Sequence, residues 1–205
     1  MMTAIMDARV RTAVAHVSRA DFLQAAQLPF VDEDRPLDIG YGQTTSQPSL
    51  IAWTIDQLHL SPTARVLEVG TGCGYQTALL AQLCAEVYSI DIVEPLVKRA
   101  AKTLTQLGYT NVHVRCSDGY QGWPEAGPFD AIVVSAGASA VPAPLLQQLA
   151  PGGRLIIPVG IADAMSLRLL QKAPDGTLTE QDILDVRFVP LTGPQAEADR
   201  YLTDT

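Results

Sequence analysis

The sequence lacks the cysteine and histidine patterns that mark several common classes of protein. It has only three cysteines, Cys73, Cys84 and Cys116, which are far apart and form no C-x-x-C pair. This spacing indicates neither a disulfide framework nor a zinc site, and it fits a reducing, cytoplasmic setting. The histidines stand alone, without the spacing or acidic neighbours of metal ligands, so we expect no bound metal.

Positive charge and long apolar runs are also scarce. The 14 basic residues are outnumbered by 22 acidic ones, which gives a formal net charge of −8. That balance has the wrong sign for holding a phosphate backbone, so we expect no nucleic-acid partner. No apolar run approaches the roughly 18–20 residues that a membrane helix needs, and the N-terminal stretch lacks the apolar core of an export signal. We therefore expect no membrane association.

Short apolar strands alternate with helical patterns along the chain. Helical spacing of apolar residues runs from Arg9 to Gln27 and again over 48–60, 75–84, 93–108 and 142–150. Apolar strands are predicted at 65–70, 86–91, 111–116, 129–138 and 154–160, and a hairpin at 166–183 around Asp175-Gly176. The pattern predicts an α/β fold: a doubly wound, mostly parallel sheet with helices on both faces and an antiparallel addition near the C-terminus. Ligands of such sheets bind at the carboxyl ends of the strands.

Length and composition indicate one folded unit. The chain has 205 residues, of which 47% are hydrophobic and 18% charged, as in an ordinary globular domain. We predict a single domain over 1–205, with an N-terminal helix and loop in 1–47, a cofactor-binding core in 48–160, and a hairpin and tail in 161–205. No heptad pattern or apolar strip announces an interface, so we expect a monomer.

A glycine turn follows the first predicted strand of the core. Gly70, Gly72 and Gly74 lie between strand and helix, where a missing Cβ lets the backbone approach a ligand. Their G-x-G-x-G spacing differs from the dinucleotide pattern G-x-G-x-x-G, because Tyr75 stands where the third glycine would be needed. Glu68 adds a negative charge that would repel a pyrophosphate and suit ammonium and sulfonium groups. The turn therefore favours S-adenosylmethionine over NAD, and a plain strand-to-helix connection remains an alternative.

Acidic residues end the next two strands. Asp91 follows the second strand, where its carboxylate can accept hydrogen bonds from ribose hydroxyls. Asp118 and Gly119 follow the third strand, where they can hold an adenine ring by its amino group and a ring nitrogen. The Asp-Gly pair can also be simply a turn.

The loop PLDIGYGQTTSQPSL, from Pro36 to Leu50, precedes this core. Its two glycines, two prolines and neighbouring hydroxyls fit neither an amphipathic helix nor an alternating strand, so we predict a shaped loop. The hydroxyls from Thr44 to Ser46 either cap the helix that starts near Pro48 or serve a ligand.

These segments together resemble the protein-L-isoaspartate (D-aspartate) O-methyltransferases, a branch of the class I S-adenosylmethionine-dependent methyltransferases with a Rossmann-like fold. The resemblance extends from Arg19 to Gly193. It rests on IGYGQTTSQP, VLEVGTGCGYQTALLAQL, VYSID, SDGYQGWPE, FDAIVVSAGA, LAPGGRLIIPVG and VRFVPLTG.

The resemblance implies a repair enzyme for damaged proteins. Its cofactor would be S-adenosyl-L-methionine, leaving S-adenosyl-L-homocysteine, and its partners isoaspartyl-containing peptides and proteins. Methylation of the free carboxylate of an L-isoaspartyl residue, or of a D-aspartyl residue, would initiate repair through a succinimide.

The same resemblance assigns residues to this chemistry. Ser46 and Thr44 are the implied catalytic residues, and no general base is required because a carboxylate with a pKa of about 4 is already ionised. Neutral hydroxyls can orient that carboxylate without the tight charge pairing of a Lys or Arg. The implied cofactor contacts are Thr45, Glu68, Gly70, Gly72, Gly74, Asp91, Asp118, Gly119 and Thr192.

Two segments depart from the family pattern and keep alternatives open. Thr45 stands where the family usually has Ile, and SAGASAVP replaces a T-A-A-P-E type of run. Both lie near the expected substrate, which leaves another carboxylate acceptor as a second hypothesis. A cofactor-binding paralogue without turnover is a third, and a nicotinamide oxidoreductase a fourth.

Overall fold

A seven-stranded sheet forms the centre of the protein. The structure is a computed structural model and describes residue 2 and residues 4–161 and 164–194; the predicted tail over 195–205 lies outside the described residues. Two strands form a small separate hairpin, β1 (Leu37–Gly40) and β2 (Gln43–Thr45). The strands of the large sheet are β3 (Arg65–Val69), β4 (Glu86–Asp91), β5 (Val112–Cys116), β6 (Phe129–Val134), β7 (Leu149–Ile161), β8 (Ala164–Lys172) and β9 (Leu178–Val186).

The strand order places the expected ligand-binding point at the carboxyl end of β3. The order is β5-β4-β3-β6-β7-β8-β9, so the chain moves outward on one side of β3 and then returns to its other side with β6. Strands β3 to β7 pair in parallel, whereas β8 and β9 add in antiparallel fashion. Val69 is paired with Val134, which brings the carboxyl ends of β3 and β6 together at the point where strand order reverses. The predicted fold class is confirmed.

Helices cover both faces of the sheet. They are α1 (Ala8–His16), α2 (Pro48–Gln57), α3 (Tyr75–Ala81), α4 (Glu94–Gln106) and α5 (Ala143–Gln148), with single 3-10 turns at Arg19–Phe22, Leu28–Phe30 and Pro124–Ala126. Buried residues of α1 to α4 join the core on one face, and α5 joins the core on the other. None of the helices within the described ranges has the length and apolarity that crossing a membrane requires.

Helix α4 illustrates how the sequence specifies these elements. Leu96, Val97, Ala100 and Leu104 recur at helical spacing and are buried against the sheet. Each such large aliphatic side chain contributes about 1.5–3 kcal/mol when fully buried. Gly108 adopts a φ of +82° just after the helix, as predicted for a residue that ends it.

The N-terminal predictions need correction. The helix expected over Arg9–Gln27 stops at His16, because Val17 is extended and a buried Arg19 is drawn into contacts with residues 31–46. The expected loop contains the antiparallel hairpin of β1 and β2, with Leu37 opposite Thr45 and Asp38 opposite Thr44. Residues 40–42 of its turn all adopt left-handed backbone, an arrangement that no common hairpin sequence pattern indicates. The two short strands were therefore not predicted.

Two strand boundaries also differ from the predictions. β6 ends at Val134, so Ser135 is the first residue beyond the strand. β7 begins at Leu149 and not after the Pro151-Gly152-Gly153 segment. This segment lies inside the strand, where it shifts the pairing register with β6. The hairpin around Asp175-Gly176 is confirmed by β8 and β9.

Candidate active site

The glycine turn after β3 forms the floor of a crevice. Gly70 and Gly72 line it, with φ values of +101° and +54° that L side chains rarely adopt. A Cβ on Gly70 would lie 3.2 Å from the Cβ of Ser135, so the turn passes close to the end of β6. Gly74 lies away from the crevice, where a Cβ would meet that of Ala100 at 3.3 Å. Its lack of a side chain therefore serves the packing of α3 against α4.

Asp91 connects the glycine turn to the end of β4. Its Oδ2 accepts a hydrogen bond from the backbone N–H of Gly72 at 2.8 Å, and its Oδ1 accepts one from Val93 at 2.9 Å. Each carboxylate oxygen can accept a further bond, and the residue lines the crevice. Asp91 is therefore held in place by backbone groups while keeping acceptor capacity for ligand hydroxyls.

The segment after β5 supplies another wall. Gly119 lines the crevice, and a Cβ there would lie 2.6 Å from Val69 Cγ1. Asp118 is not among the residues that line the crevice. Its Oδ1 accepts a hydrogen bond from the N–H of Tyr120 at 2.9 Å, which fits the alternative that the Asp-Gly pair simply forms a turn. Thr192 lines the crevice, on a C-terminal segment that pairs with Gly137 through Val189 and Leu191.

A larger cavity of about 620 Å³ adjoins the crevice. Ser46 and Thr44 both line it, together with Pro36, Leu50 and a stretch from Leu184 to Val189. Three residues line both spaces: Thr44, Ser135 and Val189. The boundary between the two spaces is thus lined by two hydroxyls.

The hydroxyls from Thr44 to Ser46 do not cap the following helix. The N-cap of α2 is Gln47, which makes no side-chain capping bond, and the N–H of Ser49 is bound by Asp34 Oδ1 at 2.9 Å. Thr44 and Ser46 are left to face the cavities. Thr45 lies outside both cavities. It is only 6% exposed, and its side chain forms a hydrogen bond with the thiol of Cys73.

Glu68 lies outside the crevice lining, and the cofactor contact that the resemblance implies for it stays a prediction. Successive strand residues point to opposite faces of the sheet, so Glu68 points toward α3 while Val69 points the other way. The side chain is 0% exposed. Its carboxylate accepts hydrogen bonds from Thr77 and, at 2.6 and 3.0 Å, from Ser89 and Gln76. Burial raises the pKa of Glu68 to about 7 in spite of these donors.

Three parts of the site received no role from the sequence. Ser135 was noted only within the SAGASAVP segment, although its place after a core strand at the point of strand reversal, where ligands bind, could have marked it. Ile39 of the hairpin and the segment from Val189 to Leu191 also line the crevice. No local pattern marks these two, because tertiary pairing alone brings them to the strand ends.

The residues present fit an adenosyl ligand. Gly70, Gly72 and Gly119 leave open backbone where side chains would clash or strain, and Asp91 presents a fixed carboxylate at the strand end. Together with the sheet topology, this site defines the class of Rossmann-like class I methyltransferases. The sequence model of the family "Protein-L-isoaspartate(D-aspartate) O-methyltransferase (PCMT)" matches residues 2–196. The chain belongs to this family.

Individual relatives agree with that assignment. A Polaromonas protein named protein-L-isoaspartate O-methyltransferase 2 is 50% identical over 92% of this chain and 90% of its own. A solved protein-L-isoaspartate O-methyltransferase superposes with a TM-score of 0.86 and 32% identity, over 96% of this chain and 66% of that one. A Plasmodium falciparum structure, described as a putative enzyme of this kind in complex with S-adenosyl-L-homocysteine, gives 0.81 and 28%, over 92% of both chains.

Proposed function

We propose that this protein transfers the methyl group of S-adenosyl-L-methionine to the free carboxylate of L-isoaspartyl residues in damaged peptides and proteins. The observation that carries the proposal is the meeting of two spaces at hydroxyl groups: the crevice beside Asp91 and the larger cavity share Thr44 and Ser135. Such an arrangement suits a reaction that transfers a group from a bound small molecule to a larger chain.

Gly70, Gly72, Asp91, Gly119 and Thr192 would hold the cofactor in the crevice. When bound, it supplies a methyl group whose bond to sulfur breaks as a bond to the carboxylate oxygen forms, the sulfur keeping the electron pair, so that a neutral ester and a thioether result. Asp91 would accept hydrogen bonds from ribose hydroxyls. Direct contacts with the cofactor have less support for four predicted residues, because they lie outside the crevice lining: Thr45, Glu68, Gly74 and Asp118.

The acceptor peptide would occupy the larger cavity. No proton leaves the acceptor, because its carboxylate is ionised near neutral pH. The chain's task is therefore to align the carboxylate and exclude water. Ser46 and Thr44 can do so as neutral donors. The mostly apolar lining, which includes Leu50, Val186 and Val189, suits the side chains of a peptide better than a small free acid.

The test is the transfer of labelled methyl to two synthetic peptides that differ only in isoaspartate against normal aspartate. We expect base-labile label on the isoaspartyl peptide alone. Label on neither peptide, with cofactor binding confirmed by calorimetry, would contradict the proposal and favour the non-catalytic paralogue. A third peptide with D-aspartate measures whether that residue is also accepted.

A second acceptor class stays open because of two departures from the family pattern. Thr45 ends strand β2 of the hairpin with its side chain buried, and Ser135 lies at the boundary of both cavities, so changes there bear on which carboxylate fits. Competition between the isoaspartyl peptide and free small acids separates the two hypotheses. A cytoplasmic, monomeric enzyme without a nucleic-acid partner completes the proposal. The three free cysteines support the reducing compartment, and the net charge of −8 argues against a nucleic-acid partner.

A further inference from the structure

Ser135 is fixed where the crevice and the larger cavity meet. Its backbone N–H donates to the carbonyl of Val69 at 2.8 Å, which ties the residue to the carboxyl end of β3. Its side chain is only partly buried and lines both spaces. Thr44 reaches the same boundary from the hairpin. An acceptor group and a methyl donor held in the two spaces would meet beside these two hydroxyls.

The hydroxyl oxygen of Ser135 already accepts one hydrogen bond. Gln76 Nε2 donates to Ser135 Oγ at 2.9 Å and to Glu68 Oε1 at 3.0 Å. An amide nitrogen has two N–H groups, so both are used. Glu68 Oε1 accepts one of these two bonds, so the amide nitrogen of Gln76 is held between Glu68 and Ser135.

This chain of bonds has a direction. Because Gln76 donates to Ser135 Oγ, the hydroxyl proton of Ser135 must point elsewhere, and the open side of the residue is the boundary between the two spaces. Glu68 also accepts from Ser89 and Thr77, so it stays in position without help from a ligand. The donor is thus aimed before any substrate arrives.

We propose that Ser135 donates a hydrogen bond to the acceptor carboxylate, with Gln76 and Glu68 as the positioning residues that aim it. The inference rests on the proposed function and adds a residue to it. Thr44 lies on the hairpin and Ser135 lies directly after β6, and both line the boundary between the two spaces, so together they can bind a carboxylate there. A neutral donor fixes the nucleophile without neutralising it.

The experiment uses the full chain and compares three variants with the wild type. Ser135→Ala removes the donor, Ser135→Thr keeps it, and Ser139→Ala removes an exposed hydroxyl in the same loop as a matched control. We expect Ser135→Ala to lower kcat/KM for the isoaspartyl peptide about 10- to 100-fold, the effect of losing a hydrogen bond to a charged group. Ser135→Thr and Ser139→Ala should stay within about threefold of the wild type.

Binding measurements without turnover give a second reading. With S-adenosyl-L-homocysteine present, the affinity of Ser135→Ala for the isoaspartyl peptide should fall, while its affinity for S-adenosyl-L-methionine alone should change less than about threefold. Gln76→Met should cost less than Ser135→Ala. In the double variant the two losses should not add, because Gln76 acts through Ser135.

Several results would overturn the assignment. Normal peptide kcat/KM in Ser135→Ala would remove Ser135 from the site, as would an equal loss in Ser135→Thr. Fully additive losses in the double variant would mean that Gln76 acts independently. If the wild type itself leaves the isoaspartyl peptide unmethylated, the proposed function fails first, and this assignment fails with it.

Discussion

Asp91 Oδ2 accepts a hydrogen bond from the backbone N–H of Gly72 at 2.8 Å, although 19 residues separate them in the chain. The bond joins the turn after β3 to the end of β4 and fixes the carboxylate at the crevice. A side chain that is already held by the protein loses little freedom when it binds a ligand. Asp91 is therefore suited to bind a ribose.

Replacing Asp91 with Ala should weaken cofactor binding. Loss of the acceptor leaves a ribose diol unpaired, which typically costs about 1–3 kcal/mol and gives roughly a 5- to 150-fold higher Kd. Calorimetry with S-adenosyl-L-homocysteine measures this directly. Asp130→Ala is the matched control. Asp130 also accepts a hydrogen bond from a backbone N–H, that of Arg65 at 2.7 Å, but it lies at the amino ends of the strands, away from the crevice. Equal losses in both variants would point to general destabilisation.

Replacing Ser46 with Ala should separate peptide use from cofactor binding. Ser46 lines the larger cavity and not the crevice, so turnover of the isoaspartyl peptide should fall about tenfold or more with little change in cofactor Kd. Steady-state kinetics and calorimetry measure the two effects. Ser49→Ala, which loses a bond to Asp34 just inside α2, is the control. Equal loss of turnover and cofactor affinity in Ser46→Ala would place that hydroxyl in the cofactor pocket.

Arg19 should be essential for the shape of the Ser46 segment. It is only 6% exposed, and its guanidinium donates to the carbonyls of Val31, Glu33, Arg35 and Ser46. A lysine has one compact charge and cannot reach all four. We expect Arg19→Lys to lower the free energy of unfolding by about 2 kcal/mol and to reduce peptide turnover.

Urea denaturation and the peptide assay measure these two effects of Arg19→Lys. Arg168→Lys is the control, since Arg168 pairs with Glu180 and Asp182 on β9, at the far edge of the sheet. Unchanged stability in Arg19→Lys would mean that the carbonyls find other donors.

Glu68 should make the protein less stable as pH rises. In the unfolded chain its pKa is near 4.5, whereas burial raises it to about 7 in the fold. Between these values the folded protein keeps a proton that the unfolded chain has released, so the free energy of unfolding falls with rising pH. At about 1.4 kcal/mol for each pKa unit, the loss is about 3 kcal/mol between about pH 5 and pH 8.

The variant Glu68→Gln removes this titration. Its free energy of unfolding, measured by denaturant at both pH values, should fall less than that of the wild type as pH rises. Glu94→Gln, at an exposed position paired with Lys98, should keep the wild-type dependence. Identical pH profiles for Glu68→Gln and the wild type would contradict the raised pKa.

Most local elements, and the polar and glycine residues at their ends, could be predicted from the sequence alone. Strands β3 to β6 and helix α4 were predicted because apolar periodicity is a property of neighbouring residues. Gly70, Gly72, Asp91 and Gly119 were placed correctly at strand ends for the same reason. The division into a single domain with three parts stays a prediction.

The packing of distant elements against one another determines which of these groups meet. Strand order brings Ser135, directly after β6, beside Gly70, directly after β3 and 65 residues earlier, and no local pattern specifies that neighbour. Because α3 covers one face of the sheet, Glu68 is a buried hydrogen-bond acceptor for Gln76 and lies outside the crevice lining. The hairpin that carries Thr44 depends on bonds from Arg19 and on left-handed backbone at its turn. Sequence periodicity specifies on which face of its helix or strand a residue lies. The packing of other elements determines whether that face is buried in the core or lines a ligand site.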